Sequence, residues 1–375
     1  MTAGYVVAVA RNSVGRPAVV DLGGLMRSHA GGSVVRRKWH DGVSALAPLH
    51  TQVKSSGFPG ALPEAGIVRG IVDAIAKVRG PLAVVGQPGA IGAIRTWVDA
   101  AGRGEGIHLV SAPGRAISEN RVFAFLGPAW VERAVETAID AGARVAVCGL
   151  ADENEVVEPP PRGWFVADPM AGDGRVGVLS LGTLCAAGLA GVDIVAGLAG
   201  AGEMVRVVDG PPGNENPAWS LARAVRLAEV ELGRDSVVHV AGNAALVSLA
   251  QWAARTQAAS AVGGKGNRVV SRTLPAVVQA GDEEWLEALA AGSRNRLLVV
   301  WDAGSDPTCD SWMQFALSSG QAAVRVRLSG LDSYALGSAT ALWLRAVACL
   351  ALLEERVPVA MGAATAWHAS ERSLG

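Results

Sequence analysis

The chain has 375 residues, half of them hydrophobic and 18% charged, with a formal net charge of −1. That length supports two α/β domains with substantial cores, and the balanced charge excludes electrostatic recruitment to nucleic acid or an anionic membrane. Four cysteines, Cys148, Cys185, Cys309 and Cys349, form no Cys-x-x-Cys pattern, which predicts reduced core thiols in a cytoplasmic protein, without a metal centre or cofactor.

The first eighty residues are glycine-rich and weakly periodic, with strand-like pieces "YVVAVA" and "PAVVDL". The opening lacks the basic and long apolar regions of a signal peptide, and "RRK" at 36–38 reads as a solvated face. The chain then alternates. "LAVVG" (82–86), "IHLVS" (107–111), "RVFAFLG" (121–127) and "RVAVCGL" (144–150) read as buried strands, with "GAIRTWVDAAG" and "WVERAVETAIDAG" as helices between them. "ADENEVVEPPPRG" (151–163), acidic and proline-rich, reads as a connection between lobes.

The stretch 176–202 is long enough to span a bilayer and has Asp193 as its only charge, but its Gly and Ala density predicts a buried core helix. "NPAWSLARAVRLAEVELG" opens on an Asn-Pro helix start. The strands "SVVHVAG", "RLLVVWD" and "AAVRVRL" follow, with helices "AALVSLAQWAARTQ" and "SATALWLRAVACLALLEE". The pattern predicts an α/β protein with mainly parallel sheets in two tandem αβα sandwich lobes. The expected layout is an N-terminal segment 1–80 packing on the lobes, a first lobe at 81–150 and a second at 164–375.

An ordered series of segments carries a resemblance. It comprises "FVADPMAGDGRVGVLSLGTLCAAGLAGVDI" (165–194), "NENPAWSLARAVRLAEVELGRDSVVHV" (214–240), "WAARTQAASAVGGKGNRV" (252–269) and "YALGSATALWLRAVACLAL" (334–352). Together they resemble the glucose-6-phosphate isomerase (phosphoglucose isomerase) family, built from sugar-isomerase (SIS) domains. The resemblance runs over residues 80 to 355 and implies a sugar or sugar-phosphate ligand and pairing into a dimer.

Aldose–ketose isomerisation needs a base, positive charge beside the enediolate, and a grip on the phosphate. The family grips phosphate with a Ser/Thr-rich turn. The corresponding stretch here is "FLGPAWVER" (125–133), where Gly127, Ala129, Trp130 and Glu132 are the expected binding positions. Ala129 and Trp130 stand in place of threonines.

The family's catalytic glutamate falls on Ala259, its neighbouring serine on Ser260, and a register shift brings only Gln257. Gly174 and Arg175 match the turn whose arginine steadies the enediolate, so Arg175 is the one surviving catalytic position. Bracing its own turn is an equal role for that arginine. The resemblance therefore implies a degenerate, non-catalytic relative acting as a binding, regulatory or assembly partner in carbohydrate metabolism, as a homodimer or with another sugar-metabolism enzyme. The alternatives are an active isomerase with a relocated base (Glu132, Glu203 or Glu215) or an enzyme acting on an unphosphorylated substrate.

Other features read blandly. "AVVGQPGAIG" (83–92) lacks dinucleotide-loop spacing, "GGKGN" (263–267) reads as a loop, and "DEEWLE" (282–287) as an acidic helix start. His108 and His239 read as packed core histidines. Any exposed members of the eleven tryptophans would favour a protein interface.

Overall fold

A computed structural model describes residues 6–9, 18–22, 46–55, 62–114, 117–149, 163–168, 177–213, 215–234, 236–260, 270–277, 296–304, 309–310, 313–314 and 321–354. The expectations placed on "RRK", the 151–162 connection, "GGKGN" and "DEEWLE" lie outside these residues.

In chain order the elements are β1 (Val6–Val9), β2 (Ala18–Asp21), α1 (Leu46–Ser55), α2 (Ala65–Ala76), β3 (Leu82–Val85), α3 (Pro88–Ala100), β4 (Ile107–Val110) and β5 (Arg121–Phe125). Next come α4 (Ala129–Asp140), β6 (Arg144–Gly149), β7 (Trp164–Ala167), α5 (Leu181–Leu189), α6 (Ile194–Val208) and α7 (Pro217–Leu232). The chain continues through β8 (Ser236–Ala241), α8 (Val247–Ser260), β9 (Val270–Val277), β10 (Arg296–Ala303), β11 (Ala322–Leu328) and α9 (Ser333–Leu353). Pro88 and Pro217 occupy first helical turns, where a missing N–H costs nothing.

Two compact units result. Among the described residues the smaller spans 62–199, and the larger spans 6–55 with 200–354. The smaller holds an all-parallel sheet in the order β4-β3-β5-β6-β7. The larger holds a sheet in the order β1-β2-β11-β10-β8-β9, parallel from β11 to β9, with β1 and β2 antiparallel at one end.

The division falls inside α6, whereas the sequence suggested the connection at 151–163. The four-residue β7 bonds to β6 and so stays with the smaller sheet, while β2 bonds to β11 and places β1 and β2 in the larger one.

The single buried helix expected over 176–202 is two helices, α5 and α6. Gly191 turns the chain at φ +87°, and the Asp193 carboxylate then accepts from the Ala196 N–H at 3.0 Å to start α6. Among the described residues, α9 is the helix long and apolar enough to cross a membrane, and 89% of that stretch is buried inside the fold.

In the smaller unit Val131, Val135 and Ala138 of α4 belong to one core cluster with Val85, Val110, Ala124 and Val147. On α3, the Trp97 indole donates to Val178 O at 2.9 Å. Gly182, at the start of α5, sits so close to β6 that a Cβ there would lie 2.3 Å from Cys148 Sγ.

In the larger unit α7 and α9 pack on each other, and α8 lies on β8 and β9. A Cβ at Gly200 would lie 2.0 Å from Tyr334 O, so this helix crossing admits only glycine. Five tryptophans, Trp97, Trp219, Trp252, Trp301 and Trp343, are buried, and no described tryptophan is exposed.

His239 is a packed core histidine. Its Nδ1 accepts from Trp301 Nε1–H at 3.1 Å, which leaves Nε2–H to donate to Gln257 Oε1 at 2.8 Å. Trp343 crosses it edge-on at 4.8 Å and donates its own N–H to Ala253 O. Burial holds the imidazole neutral, lowering its pKa to about 4, although the Gln257 bond acts the other way. The unfolded chain protonates this histidine near pH 6.5, so its stabilising contribution is complete above that pH and declines as pH falls towards 4.

Between pH 7 and pH 5 the folded state should lose about 2 kcal/mol through this group alone. Urea unfolding at the two pH values should show a smaller difference for His239→Phe than for the wild type. Equal differences would mean that the imidazole is not held neutral.

Candidate functional site

In an open parallel sheet, a crevice opens beyond the carboxyl ends of the two strands between which the chain reverses its order. Here the smaller sheet reverses between β3 and β5, and the larger between β8 and β10. A glycine follows the first strand at each place. A Cβ on Gly86 would meet Phe125 Cβ at 3.2 Å, and one on Gly242 would meet Cys309 Sγ at 3.0 Å.

At the smaller reversal, β5 passes into α4 through Gly127, at φ +150°, and Pro128, the extended residue before the helix. Gln87 reaches the same turn, its Nε2 3.4 Å from where a Gly127 Cβ would sit. Gly127, Ala129, Trp130 and Glu132 are thus brought together. Gly127, Ala129 and Glu132 are exposed, and Trp130 is half-buried against the core.

The helix-start amides put partial positive charge here, but no side chain caps the helix and Glu132 adds negative charge in its first turn. The turn offers neither a hydroxyl nor a cation to a phosphate.

Gly174 and Arg175 lie outside the described residues. Ala259 and Ser260 form the last turn of α8 in the larger unit, and their side chains lie outside the described residues too. Gln257 is spoken for by His239. Of the carboxylates considered as a relocated base, Glu132 and Glu215 are exposed, and Glu203 accepts from the Tyr334 hydroxyl. Burial first, and then Glu203, push that phenol up to about 12.

Three groupings escaped the sequence reading. Asp168 follows β7 and is buried, with its Oδ2 accepting from the Gly182 N–H at 2.7 Å. The Cys148 and Cys185 thiols lie beside it. Burial, and then the Asp168 charge, raise both, Cys185 to about 12.

From the middle of β11, buried Arg325 links Asp302, near the carboxyl end of β10, to Asp310, with Nε 3.0 Å from Asp302 Oδ2. Arg327 adds an ion pair to Asp310 at 3.4 Å. Asp302 Oδ1 has no hydrogen-bond partner among the described residues and lies 3.6 Å from a Cβ position on Gly242. The signal was available, because Arg325 and Arg327 share one strand face and Asp302 pairs with Arg327 across the ladder.

The third is His108, which differs from the expected core histidine. On edge strand β4 it is half-buried, with Nδ1 2.7 Å from Glu119 Oε1. Among the described residues no group of three ligating side chains could hold a metal.

No family model matches the sequence, and no curated protein matches it. Solved structures do. A hypothetical protein from Thermus thermophilus is 16% identical with a TM-score of 0.68, over 91% of this chain and 98% of that one. A glucose-6-phosphate isomerase from Chlamydia trachomatis is 12% identical with a TM-score of 0.63, over 98% of this chain and 80% of that one. At such identities the likeness is one of fold: this chain has the mainly parallel α/β fold of a sugar-isomerase protein.

Proposed function

We propose that the chain is a divergent relative of glucose-6-phosphate isomerase that no longer isomerises sugar phosphates and serves carbohydrate metabolism as a binding, regulatory or assembly partner. The observation that carries this reading is the turn from Gly127 to Glu132. It keeps the strand-to-helix frame but presents an alanine, a tryptophan and a carboxylate where a phosphate would need hydroxyls or cations.

The carboxylate candidates support the same reading. Two face solvent, one is bound to a phenol, and Gln257 is committed to the core. Isomerisation without a positioned base loses 10² to 10⁴ in rate by general-base catalysis alone, roughly 3–5 kcal/mol.

A coupled assay of the purified chain should therefore show no interconversion of glucose 6-phosphate and fructose 6-phosphate above background. Robust turnover that disappears in Arg175→Ala would overturn this reading and restore an active isomerase.

The assembly role extends the same proposal. A chain half hydrophobic and only 18% charged has little charged surface for its size, which favours apolar area covered by a second copy or by an enzyme of sugar metabolism. Light scattering over a dilution series should report a dimer at micromolar concentration. A monomer throughout, with no partner recovered from native extract, would remove the assembly role.

A further inference from the structure

The smaller sheet leaves a gap on the face covered by α4. That helix lies along β5 and β6, while edge strand β4 is separated from β5 by β3, about 10 Å away at ordinary strand spacing. Pro113, Gly114 and Ile117, after β4, line the gap opposite α4, and a cavity of about 350 Å³ remains. This is within the size range of small-molecule sites.

Trp130, Arg133 and Thr137 line it from α4, three and four residues apart and therefore on one stripe of the helix. The rest of the lining is apolar side chain and backbone, including Val110.

The polar groups are few and they set the ligand's character. Arg133 is the only charged residue among the described lining. Neither its guanidinium nor the Trp130 indole N–H has a partner among the described residues. The Thr137 hydroxyl donates to Arg133 O at 2.8 Å and keeps its acceptor capacity. Three polar side chains cannot answer a monosaccharide's ring of hydroxyls, so a sugar would leave polar groups unpaired. An apolar wall, one indole and one cation unpaired among the described residues suit a flat hydrophobic ring with a single negative charge.

We propose that this cavity binds an aromatic carboxylate, its ring against Trp130 and the apolar wall and its carboxylate on Arg133. The site lies on the flank of α4 and does not depend on the function proposed for the turn before it.

Isothermal titration calorimetry on the full chain tests it, with indole-3-acetate as probe and uncharged indole-3-acetamide as its near-isostere. The wild type should prefer the acid by at least about tenfold, the effect of one charge-assisted bond. Arg133→Gln, at an exposed position, should abolish that preference while leaving the amide's affinity unchanged. Thr137→Phe, also exposed, should weaken both by filling the cavity. No binding of the acid at millimolar concentration, or an unchanged preference in Arg133→Gln, would overturn the proposal.

Discussion

A parallel sheet covered on both faces has no outlet to water, so each polar side chain inside it must be answered by a neighbour. The three buried networks meet that constraint, with Asp302 Oδ1 left unmatched among the described residues, and also place the surrounding elements. His239 on β8 binds Gln257 of α8 and accepts from Trp301 of β10, while Trp343 of α9 crosses it. Asp302 and Arg325 tie the carboxyl end of β10 to the middle of β11. Asp168 fixes the first turn of α5 against β6 and β7 through a backbone N–H. Removing one member of such a network leaves its partner buried and unpaired, which costs more than the bond itself contributes.

The fold was largely legible because buried strands announce themselves. "LAVVG", "RVFAFLG" and "RLLVVWD" are short apolar runs with no competing helical period, and each is a strand. Order within the chain failed where the signal was short or conflicted. β7 has four residues, and its membership depends on hydrogen bonds to β6 that no local pattern encodes. The helix α2 lay inside a stretch whose glycine content hid its period. Over 176–202, hydrophobicity suggested one helix, while the Gly191 turn and the Asp193 cap specify two.

The candidate site was legible in frame and illegible in occupancy. Gly127, Ala129, Trp130 and Glu132 fall where a strand passes into a helix, and that much follows from the run of "FAFLGPAW". What Gln257 does could not be read from spacing, since its partner His239 sits on another element. The Asp302–Arg325 pair is a middle case. Arg325 and Arg327 alternate along a strand otherwise apolar, which marks them as paired, but the carboxylates that pair them come from elsewhere.

The four free thiols are distributed two to a unit, Cys148 and Cys185 in the smaller and Cys309 and Cys349 in the larger, and all four are buried. Burial raises Cys148, Cys185 and Cys349 well above a solvent-exposed thiol, and the nearby Asp168 charge adds to this for the first two. A thiol held protonated and covered does not react with an alkylating reagent until its surroundings open. Each unit thus contains its own chemical clock. The order in which the two pairs become labelled would reveal which half of the molecule loosens first.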